Sequence, residues 1–230
     1  MTGSLIKLAS PQRRINVTNF EVYKYKTSDI LYLDWEPAVE HADFFLTCLT
    51  RKTERIFHEP TLADVSKLLW FSVKTFQVGR DLWGSEVKHK PVPSSGGRHP
   101  VDIIYITYLD DMWKCFLYDD YAHALLLFPL ENQKIETFVQ RISMILDPQM
   151  GSILWFISQD MKVSSKYENA ESLIWRDAGA ILGHLALVAQ ALELNFCPLG
   201  ITGAIELEQL LGLPTALSAL GGGIVGRAKS

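Results

Sequence analysis

The sequence of 230 residues has few cysteines, and the spacing of its cysteines and histidines fits neither a disulfide framework nor a metal site. The three cysteines are odd in number and lie far apart, at Cys48, Cys115 and Cys197. This pattern indicates a reducing compartment, and we expect a cytoplasmic protein. We expect no metal ion.

The sequence also lacks an excess of charge and a long hydrophobic run. Its 22 basic and 26 acidic residues give a formal net charge of -4, so there is no electrostatic reason to expect nucleic acid as the main partner. The segment from Met1 to Arg14 lacks the apolar core of a signal peptide. No apolar run reaches the roughly 20 residues of a membrane helix, so we expect no membrane association.

No Gly/Ser-rich or Pro-rich linker divides the chain, and the G-x-G-x-x-G fingerprint of dinucleotide-binding folds is missing. What the chain does have is alternating strand and helix patterns, which predict an α+β fold. We distinguish an extended N-terminal segment, 1–40, which is a candidate docking surface for a partner, from a folded domain over 41–230.

Apolar periodicity predicts the individual elements of this domain. The predicted strands cover 101–109, 113–118, 124–130 and 153–157. The predicted helices cover 39–50, 62–76, 131–146, 170–194 and 206–211. The run over 153–157 is almost wholly apolar, as is typical of a strand covered on both faces. Three consecutive glycines, 221–223, predict a hinge.

A basic cluster follows the first predicted helix. Arg51, Thr53 and Arg55 present two guanidinium groups and a hydroxyl, a set that matches one phosphate monoester. The alternative is a solvated charged segment, because basic runs are common on protein surfaces. Arg227 and Lys229 alternate near the C-terminus and would point the same way from an extended chain.

Small and turn-forming residues precede the strand predicted over 101–109, in the order Pro93-Ser94-Ser95-Gly96-Gly97-Arg98-His99-Pro100. They suit an ordinary loop, or a backbone that lies against a flat or anionic ligand. The segment Cys197-Pro198-Leu199-Gly200 leaves a similar choice, between a helix stop and a turn whose backbone amide faces a ring nitrogen.

Lys166 and Tyr167 lie in a polar segment between a buried strand and the longest predicted helix. A lysine beside an apolar cofactor loses solvation, which favours the neutral amine that can accept a proton near neutral pH. The alternative is an ordinary exposed lysine.

Taken together and in this order, these segments resemble the nitroreductase-like flavoproteins. Within them they resemble the SagB-type branch, which includes the azoline dehydrogenases of thiazole- and oxazole-containing peptide biosynthesis. The resemblance covers most of the chain, about 48–229. Residues 51–57 resemble the family's Arg-Arg-Ser-x-Arg-x-Phe opening, with Thr53 in place of serine, and Lys166-Tyr167 matches the branch's Lys-Tyr pair.

Residues 93–100 resemble the branch's most specific signature, Pro-Ser-Ala-Gly-Gly-Leu-His-Pro. Ser95 and Arg98 depart from it. Serine keeps the position small, whereas arginine in place of leucine changes both size and charge. We therefore expect Arg98 to alter what approaches the flavin face.

The resemblance implies an FMN cofactor and a homodimeric fold with a central, mostly antiparallel sheet surrounded by helices, with the cofactor sites at the subunit interface. It implies that the FMN phosphate is held by Arg51, Thr53, Arg55 and Arg227. It implies that the isoalloxazine is lined by Pro93, Ser94, Ser95, Gly96 and Gly97. It implies that the N5 edge of the ring is faced by Pro198, Leu199 and Gly200.

The resemblance further implies the oxidation of a thiazoline or oxazoline ring in a ribosomally made precursor peptide, in a complex with cyclodehydratase subunits. Lys166 would be the base that removes the Cα proton, and Tyr167 would orient the substrate or stabilise developing negative charge. Two alternatives stay open: a general NAD(P)H-dependent nitroreductase or quinone reductase, and a non-catalytic scaffold subunit of a peptide-modifying complex.

Overall fold

The structure, a computed structural model, describes residues 8–38, 41–82, 84–212, 214 and 217–228. The strands are β1 (Gln12–Arg13), β2 (Ile30–Tyr32), β3 (Gln77–Arg80), β4 (Glu86–His89), β5 (Val101–Leu109), β6 (Met112–Asp119), β7 (Ala124–Leu127), β8 (Ser152–Gln159), β9 (Tyr167–Glu168), β10 (Leu194–Pro198) and β11 (Leu217–Arg227). The helices are α1 (Phe44–Thr50), α2 (Leu62–Val73), α3 (Asn132–Ser143), α4 (Met161–Ser164), α5 (Glu171–Ala191) and α6 (Ala204–Leu211).

Seven of the strands form one sheet in the order β10-β11-β8-β5-β6-β7-β2, and every neighbouring pair is antiparallel. The predicted α+β fold with a central antiparallel sheet is confirmed. Two further two-stranded ribbons, β1-β9 and β3-β4, lie outside this sheet.

The sheet separates two apolar cores, one under α2 and α5 and one under α3 and α6. Strand β8 is buried along its whole length. Its residues alternate between the cores: Leu154 and Phe156 belong to the first, whereas Ile153, Trp155 and Ile157 belong to the second. The prediction of a strand covered on both faces is therefore confirmed.

Helix α2 begins where its capping residues predict. The Thr61 hydroxyl accepts a hydrogen bond from the Asp64 amide, and the Asp64 carboxylate accepts one from the Thr61 amide. This reciprocal capping box satisfies two amides that the first helical turn leaves without partners. Val65, Leu68 and Leu69 then face the first core.

Helix α5 corrects the expectation about membrane-length segments. With 21 residues it is long and apolar enough, by length and composition alone, to cross a membrane. Its buried residues, which include Ile174, Ile181 and Leu185, instead belong to the first core. The helix packs against α2 and β10, so we describe it as a core helix.

The expected glycine hinge is wrong, because residues 221–223 lie inside β11. A Cβ at Gly222 would lie 2.0 Å from the Leu154 carbonyl oxygen, and one at Gly223 would lie 2.7 Å from the Phe196 ring. Gly221 has φ 85°, and the register of β11 on β8 shifts between Ala219 and Gly222. The glycines therefore allow strand backbones to approach closely at a bulge.

The start of α1 differs from its prediction, and several residues named in the predictions lie outside the described part of the chain. Helix α1 begins at Phe44, because Asp43 caps it by accepting from the Leu46 amide. Val39, the expected first residue of this helix, and Lys229 lie outside the described residues. Within the expected extended segment 1–40, residues 1–7 and 39–40 also lie outside them.

We predict that Gly222→Ala lowers the free energy of unfolding by about 3 kcal/mol, because the new methyl group would displace the β8 backbone. Urea denaturation followed by circular dichroism measures this loss. Gly79→Ala is the matched control, since a Cβ at this strand position meets only the Val87 side chain, at 3.8 Å. Equal losses in the two variants would contradict the steric explanation.

Candidate active site

The centre of the candidate site is a tight turn of residues 94–97, which we call the glycine turn. Ser94 is extended, and Ser95–Gly97 form a single 3-10 turn. Gly96 has φ 63° and Gly97 has φ 67°, backbone conformations that residues with a side chain rarely adopt. The turn leads directly into β5, as the order of residues predicts.

The carboxylate of Asp177, on α5, holds the glycine turn in place. The Ser94 hydroxyl donates to Asp177 Oδ2 at 2.5 Å. The Ser95 amide and hydroxyl donate to Asp177 Oδ1 at 3.1 and 3.0 Å. Asp177 is buried, so these donors supply the hydrogen bonds that a buried carboxylate requires. The turn is therefore fixed to the central helix.

The structure brings Lys166 and Tyr167 to this turn, although about 70 residues separate them from it in sequence. A Cβ at Gly96 would lie 2.7 Å from the Tyr167 hydroxyl and 3.1 Å from Lys166 Nζ. Gly96 is thus the point at which both side chains reach the backbone.

Lys166 is a buried lysine with a carboxylate partner. Its side chain is 7% exposed, and Nζ lies 2.9 Å from Asp81 Oδ2, which follows β3. The ammonium also lies 5.8 Å from the centre of the Tyr167 ring. Lys166 is therefore not the ordinary exposed lysine of the alternative interpretation.

The side chain of Arg98 points into the protein rather than out from the glycine turn. Its side chain is buried, and its guanidinium donates to the carbonyls of Lys162 and Glu86 and to the Ser165 hydroxyl. A buried guanidinium with these partners is not presented to an incoming substrate. The effect of Arg98 on what approaches the flavin face stays a prediction.

His99 is neutral in the folded protein. Burial and, to a smaller extent, the nearby Lys90 ammonium together lower the pKa of His99 to about 4. Nε2 lies 3.1 Å from the Lys88 carbonyl oxygen, and because that oxygen can only accept, Nε2 carries the proton. His99 thus joins the glycine turn to β4.

A network of buried ion pairs also fixes β4. Lys88 and Lys90 both contact the Asp120 carboxylate, with Lys88 Nζ at 3.1 Å from Oδ1. Burial alone would raise the pKa of Asp120, but the two ammonium groups outweigh it and hold the pKa well below its usual range. Asp120 therefore stays ionised and keeps β4 next to the sheet.

The residues expected at the phosphate form a second group. Arg51 and Arg55 are exposed, and Thr53 is partly buried. The Arg55 guanidinium is close enough to Cys197 to oppose the rise in the pKa of that thiol that burial causes. Arg227 pairs with β10 at Leu194, and its Nε lies 2.9 Å from Asp64 Oδ2. Arg55 and Arg227 thus lie beside the same strand.

The turn after β10 is not a helix stop. Leu194–Pro198 is a strand, and the Leu199 amide donates to the Gly222 carbonyl at 2.9 Å. A Cβ at Gly200 would meet no atom within 4 Å, so open space lies beside this glycine. The helix-stop interpretation is wrong, and the turn presents backbone to an open region.

The two groups lie near opposite ends of α5. Asp177, which holds the glycine turn, lies in the first half of the helix, whereas Arg227 lines a pocket with Leu192 and Glu193 just beyond its end. From Asp177 to Ala191 the helix rises about 21 Å. One chain therefore holds the two groups well apart.

The N-terminal segment lies against the loop that carries Lys166. The Arg14 amide donates to the Lys166 carbonyl at 2.9 Å, and the Thr18 amide donates to the Ser165 carbonyl at 3.0 Å. Residues 22–25 line a cavity of about 300 Å³, together with Ser94 and Asp177. This segment is thus part of the wall around the glycine turn.

Two residues of the candidate site were missed by reasoning from the sequence. Asp177 lies on the apolar stripe of α5, between Ile174 and Ile181, and a charged residue on such a stripe requires a partner. The position of Asp177 on this stripe could therefore have identified it from the sequence. Asp81 follows an exposed strand, and no local pattern connects it with Lys166.

Comparisons with known proteins identify a family and a fold. The model of the nitroreductase family matches residues 49–227. No curated protein matches the chain significantly. A candidate nitroreductase from Ralstonia eutropha JMP134 has a similar structure, with a TM-score of 0.68 and 18% identity, and the match covers 96% of this chain and 100% of that chain.

Two further solved structures are similar. One is the E. coli microcin synthetase McbBCD complex with truncated pro-MccB17 bound, with a TM-score of 0.58, 15% identity, and 88% of this chain and 79% of that chain covered. The other is a candidate nitroreductase from Desulfovibrio desulfuricans in complex with FMN, with a TM-score of 0.51, 18% identity, and 83% and 92% covered. At these identities the similarity establishes the fold.

We predict that Asp177→Asn lowers the free energy of unfolding by about 2 kcal/mol, because the amide cannot accept from all the donors of Ser94 and Ser95. Urea denaturation at fixed protein concentration measures the change. Asp111→Asn, in the exposed turn between β5 and β6, is the control for the same chemical substitution. If both variants match the wild type, the Asp177 contacts do not hold the turn.

Proposed function

This chain belongs to the nitroreductase family, and from that premise we propose that it is an FMN-dependent dehydrogenase. Its substrate would be a thiazoline or oxazoline ring in a ribosomally made peptide, and its product the aromatic thiazole or oxazole. Family membership supports a flavin oxidoreductase. The position of Lys166 and Tyr167 at Gly96 is the observation that carries the finer assignment.

The residues present fit FMN chemically. Arg51, Thr53 and Arg55 offer charged donors and a hydroxyl suited to a phosphate, and Arg227 lies near the same strand as Arg55. Pro93 and the glycine turn would line the isoalloxazine, since two residues of the turn, Gly96 and Gly97, have no side chain. Pro198, Leu199 and Gly200 would face the N5 edge, where space beside Gly200 is open.

We propose a homodimer in which each cofactor site draws on both subunits. The separation of the two residue groups along α5 supports this, because a second copy can bring the glycine turn of one subunit to the basic group of the other. Helix α1 has no buried residue, and its apolar side chains are 58–85% exposed: Phe44, Phe45, Leu46 and Leu49. Apolar exposure of this extent is typical of a subunit interface.

The proposed reaction removes a proton from Cα of the azoline ring and a hydride from the neighbouring ring carbon. The new double bond makes the ring aromatic, which supplies the driving force. FMN, when bound, supplies the acceptor for the hydride and its electron pair. What the chain itself must supply is orientation, a base and stabilisation of negative charge.

Lys166 would accept the Cα proton, and Tyr167 would orient the ring or stabilise negative charge through its hydroxyl. Because Lys166 Nζ contacts the Asp81 carboxylate as an ion pair, its ammonium must first give a proton to Asp81 or to solvent before the nitrogen can act as a base.

We predict that Lys166→Ala slows azoline oxidation by about a hundredfold or more, because the base is lost. Mass spectrometry of an azoline peptide follows the loss of two hydrogen atoms, and flavin absorbance checks that FMN stays bound. Lys134→Ala, on the exposed side of α3, is the control. Full activity of Lys166→Ala with FMN retained would rule out this role.

We predict that purified protein is yellow and that the double variant Arg51→Ala/Arg55→Ala loses most of its FMN, since each charged donor to a phosphate contributes strongly. The flavin absorbance of dialysed protein measures the occupancy. Arg141→Ala, on α3, is the control. A colourless wild type that also fails to bind added FMN would overturn the flavoenzyme assignment.

The alternatives make different predictions in the same experiments. A general nitroreductase or quinone reductase would show rapid bleaching of its flavin by NAD(P)H. A non-catalytic scaffold would co-purify with partner subunits and show no redox change. For the proposed enzyme we expect a cytoplasmic complex with cyclodehydratase subunits and the precursor peptide.

A further inference from the structure

Arg98 joins the glycine turn to the loop that carries the Lys-Tyr pair, residues 160–168, which we call the site loop. We propose that Arg98 is a positioning residue, which fixes the site loop so that Lys166 and Tyr167 meet Gly96. The inference rests on the proposed function only in taking Lys166 and Tyr167 as the working groups.

The guanidinium of Arg98 connects three segments. Nε donates to the Lys162 carbonyl at 2.8 Å, and Nη2 donates to the Ser165 hydroxyl at 3.0 Å, so two of the bonds reach the site loop. Nη1 donates to the Glu86 carbonyl at 3.0 Å, on β4. The backbone of Arg98 itself caps the 3-10 turn, with its amide donating to the Ser95 carbonyl. One side chain therefore sets the distance between the turn, β4 and the site loop.

The positive charge of Arg98 is stabilised by uncharged hydrogen-bond acceptors, which are two carbonyls and a hydroxyl. In the part of the chain that the structure describes, no carboxylate forms an ion pair with it, and its side chain is buried beside the Phe20 ring, 5.8 Å from the centre. A guanidinium can serve acceptors in several directions of one plane, because its donors form a rigid fork. A lysine ammonium is a point charge and cannot reproduce this arrangement.

Other hydrogen bonds and an ion pair also restrain the site loop, from other parts of the chain. The amides of Arg14 and Thr18 bond its backbone from the N-terminal segment, and Lys162 Nζ lies 3.3 Å from Asp102 on β5. None of these connects the loop to the glycine turn. Arg98 supplies that connection through its bond to Ser165, the residue before Lys166.

A buried positioning residue should affect turnover more than substrate binding. Misplacement of a reacting group by about 1 Å can cost a hundredfold in rate. We therefore expect Arg98→Lys to lower kcat by about tenfold to a hundredfold, with KM and FMN occupancy within about twofold of the wild type. Arg98→Leu, which removes all three bonds, should lower kcat at least as far.

Amide hydrogen exchange tests the inference without any substrate. In Arg98→Lys we expect faster exchange over 161–168 and unchanged exchange in β8 and α5. Arg141→Lys, a half-buried arginine on α3 outside the site loop and the glycine turn, is the matched control and should exchange like the wild type. Because this measurement needs no azoline peptide, it can fail or succeed independently of the proposed reaction.

Local protection lost over 161–168, with kcat lowered and KM kept, supports the positioning role. Wild-type exchange in Arg98→Lys overturns it, as does faster exchange spread evenly over the chain, which would indicate general destabilisation. Ser165→Ala provides a second check: combined with Arg98→Lys it should add little to the loss in kcat, because both variants break the same contact. Fully additive losses would also overturn the proposal.

Discussion

The buried carboxylate of Asp177 is the interaction on which the candidate site depends. A charge inside the core is costly unless hydrogen bonds satisfy it, and here Ser94 and Ser95 supply the donors. Since α5 is fixed by the apolar core, the glycine turn takes its position from the helix. The chain must then reach the start of β5 within a few residues, which accounts for the positive φ values at Gly96 and Gly97.

Glycines, which have no side chain, allow other segments to approach the site closely. At Gly96 the absent Cβ lets Tyr167 and Lys166 contact the turn. At Gly226 it admits the segment that follows the basic cluster, since a Cβ there would lie 2.6 Å from the His58 carbonyl oxygen. Both residue groups of the proposed cofactor site are thus positioned by close backbone approach, and side-chain bonds such as those of Asp177 then hold them there.

Local pattern predicts the fold well and the site only in part. Strand β5 and the cap of α2 follow from periodicity and capping residues within one short segment. The glycines of 221–223 mislead, because the same flexibility serves a hinge or a tightly packed strand, and only the neighbouring backbones decide between them. The bond between Asp81 and Lys166 joins residues far apart in sequence, and no pattern at either position indicates the other. Arg98 is similar: its three acceptors lie on two separate segments, so its role emerges only from the folded chain.

The N-terminal segment contacts the rest of the molecule in two places, at the edge of the main sheet and at the site loop. Strand β2 extends the edge of the main sheet, and β1 pairs with β9, whose first residue is Tyr167. The backbone of Arg14 bonds the carbonyl of Lys166, while the neighbouring Ile15 side chain is 96% exposed. The site loop is therefore held from two sides, by the main chain of the N-terminal segment and by the side chain of Arg98. Main-chain hydrogen bonds thus connect an exposed surface directly to the residue that the proposed reaction uses as its base.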